Sequence, residues 1–178
     1  MRKLTPGPGR YNDLGPASSE KTAETMRGVI AENYQSPAVE QVQCIVEMIQ
    51  AKSGWDIPQC LQWVASKLAY YEPDTMHQTV RTPARLLKDK RANCVDYTVL
   101  ICCVAKRMGL NAAFELAGYS GPDFQHVYPV INGVVVDVVP DQMQDGSEFF
   151  VRRSNFLPKL GALKRHKAVP IRTKLYQV

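Results

Sequence analysis

The dipeptide Asn132-Gly133 constrains this chain more than any other feature. It lies between two runs rich in β-branched residues, His126-Val127-Tyr128-Pro129-Val130-Ile131 and Val134-Val135-Val136-Asp137. Asn-Gly between such runs is the strongest short-range signal for a two-residue β-hairpin, because both turn positions need positive φ. The loop length fixes the register. Ile131 opposes Val134, Val130 opposes Val135, Pro129 opposes Val136, and Tyr128 opposes Asp137. Side chains alternate faces along a strand, so His126 shares a face with Asp137 as its diagonal neighbour. Diagonal neighbours lie about 7–8 Å apart at the backbone, within reach of a His–carboxylate hydrogen bond. A one-residue slip would put the two on opposite faces. Pro129 counts against this register, since it falls at a hydrogen-bonded pair and has no N–H to give.

Upstream of the hairpin the apolar residues recur at helical spacing. Ser19 precedes a helix over 20–33, and Ser36-Pro37 reads as an N-cap with proline in the first turn. The helix after it carries Val42, Ile45, Val46 and Ile49 on one face. Asp56 caps a third helix bearing Leu61, Val64, Ala65 and Leu68, which Tyr70-Tyr71-Glu72-Pro73-Asp74 ends. A charged loop over 88–91 follows, and Asn93 then caps a central helix that Gly109 stops. Strands are predicted over 112–117, 125–131 and 134–139. Helices come first and an antiparallel sheet second, which is the order of an α+β domain.

Cys94 stands in the first turn of the central helix, three residues of which (Asn93, Cys94 and Asp96) are polar or reactive. The positive helix end is expected to lower a thiol pKa there, and first-turn N–H groups are free to hold an oxyanion. Cys102 and Cys103, two turns further in, lack that position. A nucleophilic thiol needs a histidine, and the histidine needs an orienting carboxylate. The hairpin supplies His126 and Asp137, with Asp123 and Asp141 as fallback carboxylates. Each residue alone has a plainer reading, as a packed thiol or a satisfied histidine. The three together, in this order and on matching faces, are hard to obtain by accident. Five cysteines (44, 60, 94, 102 and 103), no Cys-x-x-Cys pair and three isolated histidines point to neither a disulfide framework nor a zinc site. No metal and no cofactor is expected.

The segments RTPARLLKDKRANCVDYTVLICCVAKRMGL and HVYPVINGVVVDVV resemble the transglutaminase-like superfamily of papain-type thiol enzymes. In that family a Gly-Asp-Cys-x-Asp segment opens the nucleophile helix, and His-x-Trp/Tyr and Asp strands complete a triad. The resemblance spans about residues 40–140. It implies a transglutaminase-like (papain-like) fold, N-terminal helices packed on a C-terminal antiparallel sheet. It also implies Cys94 as nucleophile, His126 as general base and acid, and Asp137 as its orienter. Ala92-Asn93 stands where the family usually has Gly-Asp or Gly-Glu, and Tyr128 where many members have tryptophan. Tyr128, Tyr71 and Gln78 are the candidate substrate-binding residues; Tyr71, His77 and Gln78 are open as the side-chain donor of an oxyanion hole. The implied reaction is acyl transfer from an amide of a protein or peptide substrate, with peptidase, amidase and cross-linking activities all open.

The charge is unevenly placed. Residues 1–139 hold 14 Lys/Arg and 14 Asp/Glu, whereas 140–178 hold 8 against 3, which is the whole net charge of +5. The expected division is therefore a Pro/Gly-rich arm over 1–18, a transglutaminase-like domain over 19–150, and a basic tail over 151–178. A basic tail on a neutral body suits an acidic docking partner, or a place in a larger assembly. Nucleic-acid binding ranks last, because no aromatic residue alternates with Lys164-Arg165-His166-Lys167. No apolar run approaches the ~18 residues of a membrane span, and Met1 to Gly9 reads as no secretory signal. A cytoplasmic or virion-associated protein is expected. Small transglutaminase-like proteins also occur in tailed phages, so the alternative function is that of a virion or assembly protein using this fold as a scaffold.

Overall fold

Helix α1 (Ser19–Asn33) begins where the Ser18 hydroxyl accepts the Lys21 N–H, one residue before the expected cap. The structure, a computed structural model, describes residues 2–4, 11–15, 17–71, 78–138 and 170–178. In α2 (Pro37–Ser53) proline occupies the first turn, and Gly54 closes the helix at φ +70°, a left-handed conformation that favours glycine. Asp56 and Gln59 form a reciprocal capping box on α3 (Ile57–Ala65). The segment read as a charged loop over 88–91 starts as the last two residues of a helix, α4 (Pro83–Asp89), and turns at Lys90, where φ is +55°. Thr82 caps it, and an Arg85–Asp89 ion pair at 2.9 Å spans one turn, a spacing that supports short helices.

Helix α5 (Cys94–Arg107) runs through the core, and every residue from Val95 to Ala105 is buried. A helix apolar around its whole circumference has to be enclosed. It packs against α1, α2, α3 and α4, and against the sheet strands β6 (Ala112–Gly118) and β7 (His126–Ile131). Burial of Leu100, Ile101 and Phe114, each at most 2 % exposed, contributes about 1.5–3 kcal/mol apiece.

The main sheet is antiparallel in the order β8 (Val134–Val135), β7, β6, β9 (Arg172–Gln177). The hairpin register follows the Asn-Gly loop, with Ile131 opposite Val134 and Val130 opposite Val135. Asn132 and Gly133 both have positive φ, +50° and +79°, as a type I′ turn requires. The third strand is shorter than expected, two paired residues in place of six. Val136 still donates to the Pro129 carbonyl at 2.9 Å, so the proline loses only the donor half of its pair.

Two segments assigned to the chain ends belong to the folded unit. Strand β2 (Tyr11–Asp13) pairs with β1 (Arg2–Leu4) on one side and with β4 (Thr79–Arg81) on the other. Strand β9, read as part of the basic tail, pairs with β6 over its full length. Its Tyr176 ring stacks on Phe114, with centroids 5.2 Å apart. Its apolar residues are scattered among charges, so the segment reads as a basic tail in sequence. A strand covered on one face needs only alternate residues apolar, and Tyr176 and Val178 supply them. A two-residue parallel pair, β3 (Ala69–Tyr70) with β5 (Arg91–Ala92), lies before α5. No helix among the described residues is long and apolar enough to cross a membrane. Asp141, His166 and the other residues of 139–169 lie outside the described residues, as does His77.

Candidate active site

Cys94 is placed by the cap of α5. The Asn93 side chain accepts the Asp96 N–H at 3.0 Å, and the Asp96 carboxylate accepts the Asn93 N–H at 3.3 Å. Asp96 is fully buried. It also accepts from Arg81 Nη1 at 3.1 Å and from the Arg81 N–H at 3.4 Å. Burial pushes its carboxyl up to about 6, outweighing the Arg81 charge that pulls the other way. Thr98, one turn on, sets its hydroxyl 2.8 Å from the Cys94 carbonyl oxygen and 3.3 Å from that of Val127. The first turn of α5 is thereby tied to the strand that carries His126.

His126 opens β7, and Asp137 follows β8 at the diagonal position. The His126 Nε2 lies 2.6 Å from Asp137 Oδ2, and both residues are 3 % exposed. Asp137 lies beyond the last ladder pair of β8, and Gln62 of α3 holds it there by donating to its backbone carbonyl. A neutral imidazole so bonded carries its proton on Nε2 and leaves Nδ1 as the acceptor.

Cys94 and His126 line one cleft of about 180 Å³, together with Gln78, Leu116, Phe124 and the α1 residue Thr22. The thiol departs from the sequence expectation. Burial pushes it up to about 12, and the nearby Asp137 charge pushes the same way; the N–H groups of Val127 and Val95 only partly offset this. A helix N-terminus contributes a fraction of a charge, and desolvation of the partly buried cysteine is the larger effect. At neutral pH this sulfur is a thiol whose proton needs an acceptor. The cap takes the N–H of Asp96, Asn93's carbonyl accepts that of Tyr97 at 3.0 Å, and the N–H of Val95 faces the Cys94 sulfur, so of the first-turn donors the Cys94 N–H lies outside these bonds.

The other predicted residues are dispersed. Gln78 lines the cleft. Tyr71 does not; its hydroxyl accepts from Arg81 Nη2 at 2.7 Å, behind the α5 cap. The Tyr128 hydroxyl donates to Glu115 at 2.7 Å, while its ring tilts against His126 at 5.7 Å. Asp123 gives its backbone carbonyl to Arg172 and is not the partner of His126. Sequence reasoning missed Arg81, Thr98 and Gln62. Only Arg81 left a trace, since an acid buried at the third position of an apolar helix needs a cation.

These residues match known proteins at one level. The model of the transglutaminase-like superfamily matches residues 22–144, which includes Cys94, His126 and Asp137. No curated protein and no solved structure matches the chain. Since the matched residues make up more than half its length and carry both the capped cysteine helix and the hairpin, the chain belongs to the transglutaminase-like superfamily.

Proposed function

We propose that the protein is a thiol acyl-transfer enzyme acting on amide bonds of a protein or peptide, through Cys94, His126 and Asp137. The observation that carries this reading is the buried His126–Asp137 pair at 2.6 Å opening on the cleft that Cys94 lines. The Cys94 sulfur attacks the amide carbonyl as its proton passes to His126 Nδ1. Asp137 holds the imidazole by Nε2 and stabilises the imidazolium. The N–H of Cys94, with the Gln78 side chain, receives the oxyanion. His126 returns the proton to the leaving amine, which departs and leaves a thioester on Cys94. Water, activated by His126, hydrolyses that thioester; an amine in its place gives transamidation. Hydrolysis is the default, since water is always present.

The test uses a blocked glutamine peptide with hydroxylamine as the acceptor. Hydroxamate formation, ammonia release and an acyl adduct on Cys94 by mass spectrometry are expected, all lost in Cys94→Ala. An unmodified Cys94 across a panel of peptides, with an intact fold, would turn the reading toward a scaffold in a virion or other assembly. The charge of 140–178 supports an accompanying acidic partner. Six of its eight cations, Arg152, Arg153, Lys159, Lys164, Arg165 and Lys167, precede β9. Neutralising these six is expected to abolish salt-sensitive retention on a polyanion column.

A further inference from the structure

We propose that Arg172 is a positioning residue: from the C-terminal strand it clasps the loop over 119–125 and so sets the width of the Cys94 cleft. The inference rests on that cleft being the reaction site. Arg172 Nη2 donates to the backbone carbonyls of Gly121 and of Asp123, the latter at 3.0 Å. The next two residues, Phe124 and Gln125, are walls of the cleft.

Space for the clasp is built into the sheet. A Cβ on Gly118 would lie 3.0 Å from Arg172 Nη2, 3.2 Å from Arg172 Nε and 3.0 Å from the Asp123 carbonyl oxygen. Glycine at 118 thus lets the guanidinium and the loop backbone close over β6. The Ile171 N–H bonds the Gly118 carbonyl at 2.8 Å and fixes the start of β9 beside it. The other side of the loop has its own tie. Gln125 accepts the Tyr119 N–H at 2.8 Å and donates to the Ser120 carbonyl at 2.7 Å. That tie holds the two ends of the loop to each other but leaves its tip to Arg172. An arginine suits the task, because its Nη2, held in place by the planar head, carries two N–H donors for the two carbonyls. Residue 172 lies outside the segment 22–144 that the family model matches, so the clasp is supplied by a part of the chain beyond the shared domain.

The experiment compares two thiol reagents on the full chain, in a Cys44→Ser background that removes the exposed cysteine. Alkylation of Cys94 by iodoacetamide and by pyrene maleimide is followed by peptide mass spectrometry. Arg172→Ala and Gly118→Ala should each raise the rate of the bulky reagent relative to the small one by about tenfold, roughly the shift that losing one charge-assisted hydrogen bond brings to an open–closed equilibrium. Arg172→Lys, which keeps the charge but not the fork, should fall between. Amide exchange at 119–125 should quicken in the same variants while the melting transition stays cooperative. An unchanged rate ratio in folded Gly118→Ala and Arg172→Lys would overturn the proposal. Labelling needs no turnover, so a protein with no acyl-transfer activity would refute the proposed function and leave the clasp standing or falling on the ratio.

Discussion

Burial pushes the Cys94 sulfur toward the thiol, and in the proposed reaction its proton goes to the His126 imidazole. The pH dependence of labelling follows. A thiol raised to about 12 leaves iodoacetamide little free thiolate below about pH 9, and His126→Ala removes the imidazole that lines the same cleft. The wild-type chain should label faster at neutral pH, because the imidazole takes the proton. Equal rates in the two proteins at pH 7 would separate His126 from the thiol. Asp137 bears on the same proton. Asp137→Asn keeps the shape but favours the wrong tautomer, and is expected to lower kcat on the order of 10³-fold while leaving KM nearly unchanged. A loss below tenfold would mean that His126 is oriented by something else.

At the scale of elements, α5 is placed by a buried ionic cap. Asp96 holds the helix start and takes the Arg81 charge, yet its carboxyl sits near 6, above its ordinary 3.8. A carboxyl with a raised folded pKa takes up a proton on folding between the two values. Its contribution is therefore full below about pH 4 and declines as pH rises to about 6, by roughly 3 kcal/mol for two units. Urea unfolding of wild type and Asp96→Asn across that interval should show it. The variant gains on the wild type as pH rises, despite the cost of leaving Arg81 without its carboxylate. A constant gap from pH 4 to 6 would show that Asp96 does not titrate there.

For the whole molecule, the decisive piece is the return of the chain end to the sheet. Deleting residues 170–178 exposes the edge of β6, removes the Tyr176 ring from Phe114 and frees the loop over 119–125. A loss on the order of 3 kcal/mol is expected, which lowers Tm by about 6–12 °C in a chain of this size. Differential scanning calorimetry measures it. A shift under about 2 °C would return β9 to the status of a dispensable tail.

Much of the site was legible because its determinants are local. Asn132-Gly133 fixes a register through turn geometry alone, and that register sets His126 and Asp137 on one face, where Gln62 then holds Asp137 beyond the last ladder pair. Asn93 and Asp96 fix a helix start within four residues, and so place Cys94. The α+β order followed from periodicity. What the sequence could not give depends on neighbours far along the chain. Burial of the thiol reverses its expected acidity, since desolvation depends on the enclosing elements rather than on the helix end. Arg81, Gln62 and Thr98 act across 15, 75 and 29 residues, at separations where no spacing rule operates. Strand β9 looked like a charged tail because one strand carries too few apolar residues to declare itself. Its place beside β6 is decided by the face that Phe114 offers, and only the tertiary structure contains that face.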